Sequence, residues 1–267
     1  MRDAMDDFAP LACLRPHTPR TRHLRFGLAW PVRGAIAAVT LSIVSIHTQA
    51  ALSVVGTRFI YPGGERAQTI ATRNAGSAPI LVQIWLDDGH ANADPSGLRV
   101  PFVVAPPLAR LEPQQALAVR VRAVGDELAS DRESRFWINL LEIPPAGPDG
   151  NTLRIAYRLR MKLLYRPHGI AGEPRDAPER LRWTYSDTGP HPALVPVNPT
   201  PYYVTLTRVV VQGRAVALAG GAVDVAPFGR TEIPLDARPG APAGDIVFDA
   251  VDDGGRSHEH RVRLEPP

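Results

Sequence analysis

The sequence predicts an all-β protein of two successive β-sandwich domains behind an N-terminal leader. Three observations predict it. From Leu52 onward, short runs rich in Val, Ile, Leu and aromatic residues alternate apolar with polar positions between turn signals. Residues 168–178, "HGIAGEPRDAP", interrupt these runs with Gly and Pro and no apolar period, the composition of a linker or domain elbow. No long amphipathic helical pattern breaks the series.

The leader occupies residues 1–50. Arginines at 15, 20, 22, 25 and 33 precede an apolar stretch from Gly34 to Ile46, and His47-Thr48-Gln49-Ala50 follows with small residues three and one positions before a cut after Ala50. This is the plan of a secretory signal peptide. The apolar stretch is too short for the roughly 20 residues of a bilayer span, which disfavours a retained anchor. Cleavage would also change the chain's electrostatics. Of 30 basic and 27 acidic residues the leader holds six Arg and three Asp, so 24 of each remain. A nearly neutral mature chain gives no basis for nucleic-acid binding, which wants a persistent basic excess. Cys13, the single cysteine, leaves with the leader, so the exported chain has neither disulfides nor a catalytic thiol.

The first domain is set at residues 51–169. Its strand candidates are "ALSVVGTRFIY", "AQTIATRNAG", "APILVQIWLDD", "FVVAPPLARLEP", "ALAVRVRAV", "SRFWINLLEIP" and "NTLRIAYRLRMKLLYRP". About seven strands over this length suit a sandwich of immunoglobulin type. Gly63-Gly64, Asn74-Ala75-Gly76, Asp88-Gly89 and Asp149-Gly150 supply turns. The second domain, residues 170–267, continues with short strands more often broken by proline, and Asp253-Gly254 suits a tight hairpin.

The last strand of the first domain stands out. From Asn151 to Pro167 one face reads Leu153, Ile155, Tyr157, Leu159, Met161, Leu163, and the other Thr152, Arg154, Ala156, Arg158, Arg160, Lys162. A period of two held for about twelve residues is roughly double the usual strand length, so the strand is expected to outrun its own domain. Lys162 is also singular: it is the only lysine beside 29 arginines.

The segment "LASDRESRFWINLLEIP", Leu128 to Pro144, resembles the signature of the PapD-like periplasmic pilus chaperones. "PPLARLEP" (Pro106 to Pro113) before it and "KLLYRP" (Lys162 to Pro167) and "NPTPYYVT" (Asn198 to Thr205) after it fall in the family's order, and the likeness spans nearly all of residues 51–267. The resemblance implies two immunoglobulin-like domains set at an angle and a periplasmic protein that uses no cofactor and no metal. It implies pilus subunits (pilins) as partners, capped by a lent β-strand and delivered to an outer-membrane usher. Self-association is expected when no subunit is present. The lent strand would be the long one, with Leu153, Ile155 and Tyr157 entering the subunit's groove. Each could contribute about 1.5 to 3 kcal/mol as an upper figure.

The resemblance further implies that Arg58 and Lys162 grip the subunit's terminal carboxylate, a fork and a point charge sharing one anion. It implies an interdomain ion network of Glu133, Arg166 and Asp252, with Arg110 as a fourth member, and a cis bond within Pro106-Pro107. Only "PAGPDG" separates Pro144 from Asn151, the short loop of the branch that serves rod-like pili.

Other classes of function have thin support. His258 and His260 alternate on one strand face, but two ligands make no metal site. No G-x-S-x-G elbow and no phosphate-binding glycine loop are present, so no catalytic residue is assigned. The remaining alternative is a structural or adhesive β-sandwich protein of a surface fibre, which two cysteine-free sandwiches disfavour.

Overall fold

The computed structural model describes residues 51–125, 128–145, 154–187, 191–236 and 244–263. The expected leader and Leu153 lie outside the described residues. The described part is built of β-strands with four short 3₁₀ turns and no α-helix, so none of its helices is long and apolar enough to cross a membrane.

Among the described residues nine strands make the first sandwich: β1 (Leu52–Val54), β2 (Arg58–Pro62), β3 (Gln68–Asn74), β4 (Ile80–Asp87), β5 (Phe102–Ala105), β6 (Leu108–Leu111), β7 (Ala116–Ala123), β8 (Ser134–Ile143) and β9 (Tyr157–Arg166). They form two sheets, β1-β3-β7-β5 and β2-β9-β8-β4-β6. Alternation explains the layering. Ile80, Val82, Ile84 and Leu86 of β4 turn inward, as do Val119 and Val121 of β7 and Ile138 and Leu140 of β8, and all eight are buried in one core. The Ala105–Pro106 bond, which leads into Pro106-Pro107, is cis.

Among the described residues eight strands make the second sandwich: β10 (Arg182–Ser186), β11 (Ala193–Val197), β12 (Val204–Val211), β13 (Arg214–Ala215), β14 (Val223–Val225), β15 (Ile233–Pro234), β16 (Asp245–Val251) and β17 (Ser257–Arg263). One sheet runs β10-β11-β15; the other runs β13-β12-β16-β17, with β14 also paired to β12. Their core is separate, centred on Trp183, Leu194, Leu206 and Phe248.

One expectation about the elements needs correction. The long strand was expected from Asn151; residues 154–156 have no regular structure and β9 begins at Tyr157, where its partner β8 supplies Glu142 as the last paired residue. The tight hairpin expected at Asp253-Gly254 joins β16 to β17, with these two residues at the centre of a turn in which the Gly255 N–H donates to Asp252 O at 3.0 Å. Gly255 takes the positive φ of 83°, and the Asp252 N–H donates to Arg256 O at 2.9 Å.

Candidate functional site

β2 lies parallel to β9 in a register that sets Arg58 beside Lys162. Neither is an ordinary solvated charge: Arg58 is 8% exposed, and the Lys162 side chain 14%. Both reach from the first sandwich to the second. Arg58 donates to the Val251 and Asp252 carbonyls at 2.8 and 3.1 Å and to Thr205 Oγ1 at 2.7 Å. Lys162 Nζ donates to the same Thr205 hydroxyl at 3.0 Å and forms an ion pair with Asp224 on β14. Thr205 in turn donates to Asp224 Oδ1 at 2.6 Å, and Arg135 holds Asp224 Oδ2 at 2.6 Å.

The cluster therefore gathers three cations around one carboxylate. Burial lowers the Lys162 amine below its usual range against the pull of Asp224, and the neighbouring Arg58 and Arg135 charges lower it further. Burial also lowers Arg58, although the carboxylates around it act in the other direction. For Asp224, burial acts to raise the carboxyl but is outweighed by Lys162, Thr205 and Arg135, which hold it below the usual carboxylate value. An excess of partly dehydrated positive charge is suited to a further carboxylate.

Beside this cluster the sheet is open. β2 covers β9 only from Lys162 to Arg166, so among the described residues the stretch Tyr157–Met161 has no strand on the side opposite β8. Just upstream, Ile155 is 50% exposed; Tyr157 is half-buried, Leu159 and Met161 pack on the first core, and Leu163 is fully buried. The basic residues here are drawn onto their own sheet. Arg158 lies over the Trp85 ring at 5.7 Å and Arg160 over Trp137 at 4.1 Å, with Arg160 also forked onto the buried Asp87.

The structure brings Glu133 and Arg166 together at 2.7 Å, and it corrects the rest of the expected ion network. Asp253, not Asp252, completes it through a two-bond fork with Arg166 at 2.7 and 2.8 Å. Asp252 turns its carboxylate instead to Arg256 in the loop and His258 on β17, and meets Arg58 through its carbonyl. Arg110 pairs with Glu112 on the exposed surface and has no part in the network. Glu133 also accepts from the Tyr203 N–H at 2.8 Å; burial raises its carboxyl more than Arg166 lowers it.

Sequence reasoning missed Thr205, Asp224 and Arg135. The one available signal was an acid at Asp224 between two valines in a strand-like run. Of the alternating histidines, His260 stacks on Phe248 and His258 bonds Asp252, and among the described residues no group of three or more His, Cys, Asp or Glu could hold a metal.

Two family models match. Residues 51–171 match "Pili and flagellar-assembly chaperone, PapD N-terminal domain", and residues 176–262 match "Pili assembly chaperone PapD, C-terminal domain". The chain is 34% identical to the probable fimbrial chaperone YadV of Escherichia coli K12 over 238 residues, covering 86% of this chain and 96% of that protein. It is 37% identical to the chaperone protein FimB/FhaD of Bordetella pertussis over 228 residues, covering 83% and 91%. Among solved structures, a Salmonella enterica SafB chaperone in complex with the SafA pilin matches with a TM-score of 0.68 and 30% identity, covering 81% of this chain and 97% of that one.

Proposed function

The chain belongs to the PapD family of pilus-assembly chaperones, and on that premise we propose that it captures pilus subunits by lending them the open edge of β9. One juxtaposition supports this reading above all: the unpaired stretch of β9 ends where the Arg58–Lys162 pair begins. A subunit strand laid along Tyr157–Met161 and the residues before it would extend the five-stranded sheet through backbone hydrogen bonds. Its terminal carboxylate would then meet the cationic cluster. Anchoring the chain end would set the register, since a slip of one residue turns every groove-facing side chain to the wrong face. Ile155 and Tyr157, with Leu153 upstream, are the side chains assigned to the groove.

The same reading makes the protein periplasmic after export, has it pass subunits to an outer-membrane usher, and has it self-associate when unpartnered. The solved complex of a related chaperone with a pilin supports a pilin as partner. Glu133, Arg166 and Asp253 are assigned to holding the two sandwiches in one arrangement, because desolvation offsets much of what such a network contributes to stability.

Co-expression of the exported protein with a pilin from the same genome tests the reading. We expect a stoichiometric complex in the periplasmic fraction, retained through gel filtration. A monomer that ignores every such pilin would end the proposal.

A further inference from the structure

β8 points Ile138 and Leu140 into the first core, and the next inward position is Glu142. A carboxylate thus stands where the alternation calls for a third apolar side chain, and the residue is only 6% exposed. Among the described residues its two oxygens accept from backbone alone: the Ala51 N–H reaches Oε1 at 3.1 Å and the Leu52 N–H reaches Oε2 at 2.7 Å. Among the described residues no cationic side chain comes within ion-pair distance of it. A buried carboxylate without a countercharge is costly.

Ala51 is held firmly in front of this carboxylate. Its carbonyl accepts from the Ala75 N–H at 2.7 Å, and Leu52 is buried in the core and paired with Asn74. Gly76 makes room for it, because a Cβ on Gly76 would come within 2.7 Å of the Ala51 Cβ. In the sequence, Ala51 directly follows Thr48-Gln49-Ala50, the small-residue pattern of a processing site.

We infer that the chain is cut between Ala50 and Ala51, and that Glu142 is the receptor for the α-ammonium group so created. Water adds across the Ala50–Ala51 amide, leaving a carboxylate on Ala50 and an ammonium on Ala51. The bond from the Ala51 nitrogen to Glu142 then becomes charge-assisted, and the buried carboxylate gains its countercharge. A cut farther downstream removes the donor, and one upstream carries the charge away by up to about 3.5 Å per residue. The inference rests on the export reading and is independent of subunit capture.

Two measurements test its two halves separately. The N-terminal sequence of the chain recovered from the periplasm is expected to begin at Ala51; any other first residue overturns the processing site. For the receptor, a chain produced to start at Ala51 has two primary amines, its α-amino group and Lys162, so acylation followed by peptide mapping reads each one. Pairing with Glu142 is expected to slow α-amino acylation at pH 7 roughly tenfold relative to Glu142→Gln, the effect of raising an amine pKa by about one. Adding one Gly before Ala51, with Glu142 intact, is expected to restore the fast rate. Equal rates in all three chains overturn the receptor, whatever the exported chain's first residue.

Discussion

Lys162 of β9 and Asp224 of β14 form an ion pair that joins the two sandwiches, in the same cluster proposed to receive a subunit's carboxylate. The arrangement keeps a buried amine paired with a carboxylate. On the proposed reading Asp224 would compete with the guest's carboxylate for Lys162, and the guest would have to add to or displace it.

Lys162→Ala is expected to abolish subunit capture while the chain still folds. Asp224 keeps Arg135 and Thr205, so the loss of stability should stay near 1 to 3 kcal/mol, the range for one lost partner of a charged group. Urea unfolding of the variant together with pilin pull-down checks both statements; normal pilus assembly by the variant would refute the anchor.

Arg166→Ala should be far more damaging than Arg110→Ala. The first strands the buried Glu133 without its cation, a loss of about 3 to 5 kcal/mol, whereas the second breaks an exposed pair and is expected to cost under about 1 kcal/mol. Thermal unfolding of the two variants side by side measures the difference. Equal losses would remove the ion network from the interface.

Ile155→Asp is expected to weaken pilin binding at least tenfold and leave the unfolding midpoint unchanged. The side chain is half exposed and outside any strand, so its own domain has little to lose. Unchanged pilin affinity would take Ile155 out of the groove.

Acid should loosen the junction in a defined window. Asp224 stands below its ordinary value in the folded chain, so its contribution is complete above about pH 4 and is lost as pH falls through the folded value. Asp224→Asn should flatten that acid limb in unfolding experiments across pH 2 to 5. Glu133 works the other way: burial raises its carboxyl, so ionising it costs stability as pH rises through its raised value. An unaltered acid limb in Asp224→Asn would exclude Asp224 as its source.

Much of the site could be read from the chain because strand periodicity is local. Alternation along β4, β7, β8 and β9 marks which side chains turn inward, and the singular lysine marks Lys162. The ion network was only partly legible. Choosing between Asp252 and Asp253 depends on the path of a loop that turns through Gly255, which no alternation encodes. Arg110 was misjudged because a neighbour two residues away, Glu112, satisfies it on the surface.

The sequence by itself determined the all-β class, the strand-rich halves on either side of residues 168–178, and the two-faced character of the strand that ends at Arg166. These follow from side-chain alternation and from turn residues, which act over a few positions. Only the tertiary structure decided that β2 stops short along β9, that Asp224 meets Lys162 from 62 residues away, and that Glu142 faces Ala51 across 91. Those relations arise from how separate strands are laid side by side and how two packed sandwiches meet, and distance in space is then unrelated to distance along the chain.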